Sequence, residues 1–154
     1  MAFNGQSDLL DTVNRRLLRE LAAEPRITMS VLARRVGMSA PAVSERVQRL
    51  ERAGVITGYR ADISPAALGL PVTAFVRIRP TAGQLPRIAQ LAKDTPEISE
   101  CHRISGEDCF LLKLHAATIE ALEATLDRFL TYGQTVTSIV VSTPVPPRPL
   151  PVPD

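Results

Sequence analysis

An α+β chain in two parts is predicted by three observations. Three short amphipathic helical patterns fill the first fifty-odd residues, glycines and prolines crowd the segment that follows, and beyond residue 71 strand-like and helix-like runs alternate in the order β-α-β-β-α-β. The first block reads as a winged helix-turn-helix domain, residues 1–58. A connecting strand and linker, 59–71, leads to residues 72–143, whose element order names the ferredoxin-like, split βαβ arrangement: an antiparallel sheet with two helices on one face. A proline-rich tail, 144–154, closes the chain.

Composition allows this build. The 154 residues are 45% hydrophobic, ample for buried cores and incompatible with a disordered chain. Aromatics make up only 4% and tryptophan is absent, so the cores must be filled by Leu, Val, Ile and Ala. Net charge is +2, but residues 1–60 carry ten Arg and no Lys against six acids, whereas 61–154 carry eight basic against ten acidic residues. The positive excess therefore sits in the helical block. With neither an 18-residue apolar run nor a charged-then-apolar leader, the chain is expected to be cytoplasmic. Cys101 and Cys109 could pair in an oxidising compartment or join His102 and His115 around a metal, but packed free thiols suit them better. No metal and no cofactor is expected.

Taken in order, residues 1–7 form a loose end. Asp11 can cap a first helix in which Leu10, Val13, Leu17, Leu18 and Leu21 recur until Glu24 and Pro25 stop it. Thr28 caps a second, carrying Leu32 and Val36, and Gly37 ends it in the left-handed conformation. Ser39 caps the third; Pro41 fits its first turn, where no N–H is needed, and Val43, Val47 and Leu50 form one apolar seam. Ala42, Ser44, Glu45, Arg46, Gln48, Arg49 and Arg52 lie off that seam. Such a hairpin could be a solvated surface feature. The short glycine turn, the small or basic outer side of the third helix and its uncluttered first turn (Ser39, Ala40, Pro41, Ala42) favour insertion into a DNA groove. Gly54 to Ile63 then predicts a strand or small hairpin, a wing or a connection.

Ser64 to Pro71 is a turn-rich connector. Strands are expected at Val72–Ile78, Ile98–Ile104, Cys109–Leu114 and Val136–Ser142. Helices carry Leu85, Ile88, Ala89, Leu91 and Ala92, and, after Thr118, Ile119, Leu122, Leu126, Phe129 and Leu130. Val140, Ile139, Phe110, Leu112, Phe75 and Val76 would bring apolar groups to both sheet faces, so a second copy is the simplest cover and a homodimer is expected; filling a monomer's own core is the alternative. Six of the 13 prolines fall between Pro144 and Pro153, which makes the tail extended, a solvated end or a docking peptide.

The runs LLDTVNRRLLREL, PRITMSVLARRVGMSAPAVSERVQRLERAGVITGY and ECHRISGEDCFLLKL resemble the Lrp/AsnC (feast/famine) family of bacterial transcriptional regulators, from about Leu9 to Val141. The stretch Arg46 to Tyr59 is the most specific part of the likeness. The resemblance implies a DNA-binding domain, a connecting strand, and a C-terminal domain that dimerises, often assembles into octamers, and senses amino acids or related metabolites. It implies Ser39 through Leu50 as recognition helix, with Ser39, Ala42, Ser44, Glu45, Arg46 and Arg49 touching double-stranded DNA. The two arginines suit phosphate or guanine, and Glu45 suits a cytosine amino group or Arg49 one turn on.

For the effector, the resemblance implies Ser105, Gly106, Glu107, Asp108 and Cys109 in the loop between the second and third strands, with Thr135, Thr137 and Ser138 on the last strand. An amino-acid zwitterion needs an anion for its ammonium and N–H or hydroxyl donors for its carboxylate, which this set contains; a plain hairpin turn is the other reading of Gly106-Glu107-Asp108. The chain departs from the family's Gly-Asp-aromatic-Asp loop: Glu107 stands for the first acid, Asp108 for the aromatic and Cys109 for the second acid. Asn14 stands where an acid is usual. A few proteins of the same two-domain build are haem-precursor decarboxylases, but His102 and His115 come with no triad, phosphate loop or metal spacing, so no enzymatic activity is expected.

Overall fold

A computed structural model describes residues 9–153, so the loose end expected at residues 1–7 lies outside the described residues. It divides into two compact units, one formed by the chain through Ala61 together with the segment from Val145 on, the other spanning Asp62–Pro144.

In the first unit, α1 (Thr12–Ala23), α2 (Met29–Val36) and α3 (Ala40–Arg52) each begin at the cap residue their sequences announce. The Asp11 carboxylate accepts from the Asn14 amide, the Thr28 hydroxyl from Val31 and the Ser39 hydroxyl from Ala42. Gly37 ends α2 at φ 72°, a left-handed conformation in which its N–H can turn back to the Ala33 and Arg34 carbonyls. Leu17, Leu21, Ile27, Leu32, Val43, Val47 and Leu50 are buried, so the unit is held by aliphatic side chains. Each such burial contributes about 1.5–3 kcal/mol. After Ala53 the carbonyl of Leu50 takes the amides of Val55 and Ile56. The strand or hairpin expected from Gly54 to Ile63 does not form, because a strand needs a hydrogen-bonding neighbour and no described segment pairs with this one; only a 3-10 turn, Ala66–Leu68, follows. At the far end of the chain, Arg19 on α1 donates to the carbonyl of Pro153.

The second unit runs β1 (Val72–Pro80), α4 (Leu85–Lys93), β2 (Ile98–Arg103), β3 (Phe110–Ala116), α5 (Ile119–Leu130) and β4 (Gly133–Ile139). All neighbouring strands pair antiparallel in the order β2-β3-β1-β4, the ferredoxin-like topology. One face carries Ala74, Val76, Ile78, Phe110, Leu112, Leu114 and Ala116, packed under Ile88 and Ala92 of α4 and Leu122, Leu126 and Phe129 of α5. Phe110, Leu112 and Val76 therefore belong to this covered face and offer nothing to the other. Register places Thr73, Phe75, Arg77 and Arg79 of β1, Leu111, Lys113 and His115 of β3, and Gln134, Val136 and Ser138 of β4 on the open face. Phe75 and Val136 there are 39% and 48% exposed. Ile139, paired with Ala74, lies at the edge of the helix side, and Val140 falls just past β4, where its amide donates to the Thr73 carbonyl.

The last strand starts three residues earlier than Val136, its expected first residue, at Gly133. Glycine reads as a breaker in sequence, but here it permits a close approach: a Cβ on Gly133 would sit 2.4 Å from the Arg79 carbonyl oxygen and 3.0 Å from Pro80 Cα. Gly133→Ala should therefore force β4 off the sheet edge and lower stability by about 1–3 kcal/mol, the usual range for overpacking. Urea unfolding followed by circular dichroism measures it, and an unchanged midpoint would refute the close approach.

Candidate nucleic-acid interface and effector site

The apolar seam of α3 is buried, which turns its other side outward. Met38, Ala42, Glu45, Arg46 and Arg49 line a shallow groove of about 210 Å³ along that side. Glu45, Gln48 and Arg49 are exposed, Ala42 and Ser44 half-buried. Ser39 is occupied as the helix cap. Arg46 differs from its neighbours. Its guanidinium turns back into the unit, with Nη1 2.6 Å from Asp11 Oδ2 and 3.0 Å from Asn14 Oδ1. Asn14 is fully buried and its amide nitrogen donates to the Leu9 carbonyl at 2.9 Å. Arg35 of α2 is likewise engaged, bridging Glu20 and Glu24 of α1 at 2.7 and 2.8 Å.

The expected effector residues separate by face. The loop after β2 is closed by Ile104 N–H to the Cys109 carbonyl at 3.0 Å, with Gly106 at φ 103°. The Cys109 thiol points to the carbonyls of Gly106 and Glu107, 3.7 and 3.6 Å away, and Ser105 is exposed. The loop acids meet two arginines of the open sheet face: Arg79 Nη2 is 2.6 Å from Glu107 Oε2, Arg79 Nε 3.5 Å from Asp108 Oδ1, and Arg77 Nη1 3.6 Å from Asp108 Oδ2. Neither arginine was singled out by sequence reading, although the alternation Phe75-Val76-Arg77-Ile78-Arg79 marks both as facing away from the core. On β4, Ser138 shares the open face, opposite Phe75; Thr135 and Thr137 pair with Ile78 and Val76 and so belong to the helix side.

The remaining titratable groups of the open face are spread along it. Lys113 holds Glu100 at 3.1 Å, which keeps that carboxyl below its ordinary range, and its ammonium sits 6.0 Å from the Phe75 ring centroid. His115 lies between the hydroxyls of Thr73 and Ser99, each 3.0 Å away, and burial holds its pKa down. His102 reaches only Glu100, near the other end of β3, so the two histidines do not converge. Cys101, on the edge strand β2, is exposed, contrary to the packed thiol expected; Cys109 is half-buried, and neither forms a disulfide. Among the described residues no three His, Cys, Asp or Glu side chains gather as a metal site, and no helix is long and apolar enough to cross a membrane.

Residues 10–57 match the winged helix-turn-helix DNA-binding family and residues 73–150 the Lrp/AsnC ligand binding domain. The chain belongs to the Lrp/AsnC family of transcriptional regulators. It is 39% identical to LrpA of Mycobacterium tuberculosis over 89% of this chain and 93% of that one, and 34% identical to LrpC of Bacillus subtilis over 86% and 92%. A solved feast or famine regulatory protein from M. tuberculosis, complexed with L-methionine, is 39% identical and superposes with a TM-score of 0.85, covering 94% of this chain and 99% of its own. Membership in the Lrp/AsnC family makes this a DNA-binding transcriptional regulator, and it favours that function over the decarboxylase of similar build.

Asp11, one turn before Asn14, supplies the carboxylate for Arg46. The capping amide of Asn14 first, then the Arg46 guanidinium, hold the Asp11 pKa below its ordinary value of 3.8. A depressed carboxylate stabilises the fold fully above the unfolded value and loses that contribution as pH falls through the folded one. The first unit should therefore weaken as pH drops below 3.8, and Asp11→Asn should flatten that dependence. Thermal melts across the acid range test this, and equal slopes for parent and variant would refute it.

Proposed function

We propose that this regulator reads DNA as a homodimer and responds to an α-amino acid held where Glu107 and Asp108 meet Arg77 and Arg79. The observation that carries the effector reading is that ion-pair cluster, two acids from the loop against two guanidiniums from β1. A zwitterion supplies one charge of each sign, so it can replace the internal partners charge for charge, whereas a lone cation or anion would leave a guanidinium or a carboxylate uncompensated. Ser138, on the same face, offers a hydroxyl. Thr135 and Thr137 stand on the other face and take no part.

The second copy follows from the open face. Phe75 and Val136 supply apolar contact, and Lys113 and Glu100 supply charges of both signs that a two-fold partner can match. Two α3 helices then enter successive major grooves, with Ala42, Ser44, Glu45 and Arg49 toward the duplex. Such a regulator works in the cytoplasm, beside the chromosome.

A duplex enriched from a random pool by the protein itself provides the DNA test. Binding should weaken steeply between about 50 and 200 mM salt, because phosphate contacts release counterions. Phe75→Asp should halve the sedimenting mass and cost most of the affinity; salt-independent binding, or a parent that sediments as a monomer, would sink the reading. For the effector, L-methionine and the other amino acids at 100 times their Kd should raise the melting free energy by about 2.7 kcal/mol. Arg79→Ala should abolish the shift, and a panel with no shift for any amino acid would refute the site.

A further inference from the structure

We infer that Arg46 is a positioning residue: it fixes the roll of the recognition helix α3 on α1 from within the three-helix unit, and it is not one of the side chains that touch DNA. Its position on the outer side of α3, in line with Ala42 and Arg49, is where a DNA-reading arginine would be sought. Its bonds point the other way. The side chain is only 25% exposed, and the guanidinium is held by a charged acceptor, Asp11 Oδ2 at 2.6 Å, and a neutral one, Asn14 Oδ1 at 3.0 Å.

Both acceptors are fixed by other duties. Asp11 caps α1 with its second oxygen, accepting from the Asn14 amide at 2.7 Å. Asn14 is wholly buried, with its nitrogen committed to the Leu9 carbonyl. Among the described residues the buried side-chain polar atoms all have partners. Moving Arg46 to a phosphate would strand the Asn14 oxygen inside the unit and strip Asp11 of its counter-charge, a loss that a solvent-exposed phosphate contact does not offset.

The seam of Val43, Val47 and Leu50 presses α3 onto the core, but aliphatic contacts tolerate small rotations of a helix about its axis. A forked hydrogen bond from α3 to two groups at the start of α1 does not. Because Ala42, Glu45 and Arg49 ride on the same helix, the roll that Arg46 sets decides which way they face. Arg49, exposed one turn further on, is left as the arginine of this stripe that meets the duplex.

Four full-length proteins, the parent, Arg46→Ala, Asp11→Asn and Arg49→Ala, would be titrated at several salt concentrations with the enriched duplex and a scrambled duplex of equal length. Asn keeps the cap on α1 with its one side-chain oxygen, so Asp11→Asn removes the charge and the acceptor that hold Arg46 and leaves the cap. Melting curves fix the folded fraction of each. Arg46→Ala and Asp11→Asn should each reduce the preference for the enriched duplex by about tenfold while leaving the salt slope at the parental value. Arg49→Ala should flatten that slope by about 1.8, the loss of one phosphate contact from each of the two α3 helices of the dimer. The inference is overturned if Arg46→Ala flattens the slope by that amount, or if Asp11→Asn, by freeing Arg46, tightens binding to the enriched duplex or leaves its preference unchanged. Should Arg46→Ala fail to fold, Asp11→Asn decides alone.

Discussion

One-sided burial is the constraint from which the rest of this molecule follows. Both helices of the second unit lie over the same face of the sheet, and the alternation of β1 and β3 sends every large buried side chain toward them. The opposite face is left with arginines, a lysine, a histidine and an exposed phenylalanine. Phe110 and the aliphatics of the covered face, with Phe129 of α5 above them, are buried and supply the apolar burial that stabilises this unit. The sheet also leaves a broad surface uncovered, and the proposed effector cluster and the proposed assembly surface both draw on it.

The first unit solves a smaller version of the same problem with less apolar material. Three helices of 12, 8 and 13 residues share a core that holds no tryptophan, tyrosine or phenylalanine among the described residues. Guanidiniums supply what bulk does not: Arg35 links α2 to α1 and Arg46 links α3 to α1, each between two acceptors. Such forks are directional where aliphatic contacts are not. The exposed Arg35 bridges add little to stability, but the Arg46 fork, with one acceptor fully buried, fixes geometry.

Much of this was legible before any coordinates. Caps at Asp11, Thr28 and Ser39 are local chemistry, and each marks the helix start it announces. The β-α-β-β-α-β order leaves few topologies open. What escaped were relations between residues distant in the chain. Gly133 reads as a break until the Arg79 carbonyl is beside it, and the Gly54–Ile63 run has strand propensity but no neighbour to pair with. Arg77 and Arg79 looked like generic outward residues because their partners lie thirty positions away in a loop. The alternation of β4 was readable, yet a start misplaced by three residues put Thr135 outside the strand and hid that Thr135 and Thr137 share the covered face. For Arg46 the spacing on α3 alone pointed outward, and its partners Asp11 and Asn14 lie more than thirty positions earlier.

The distribution of basic side chains has one more consequence. Every cationic side chain in the first sixty residues is a guanidinium, and the two lysines of the chain, Lys93 and Lys113, belong to the second unit. Guanidiniums stay charged across the physiological range and are not substrates for amine acylation. Groups that acylate amines therefore find no amine side chain to modify in residues 1–60. They have one on the open sheet face, where Lys113 joins Glu100 to the ring of Phe75. Chemistry of that kind would alter the charge of the open sheet face and leave that of the first unit as it was.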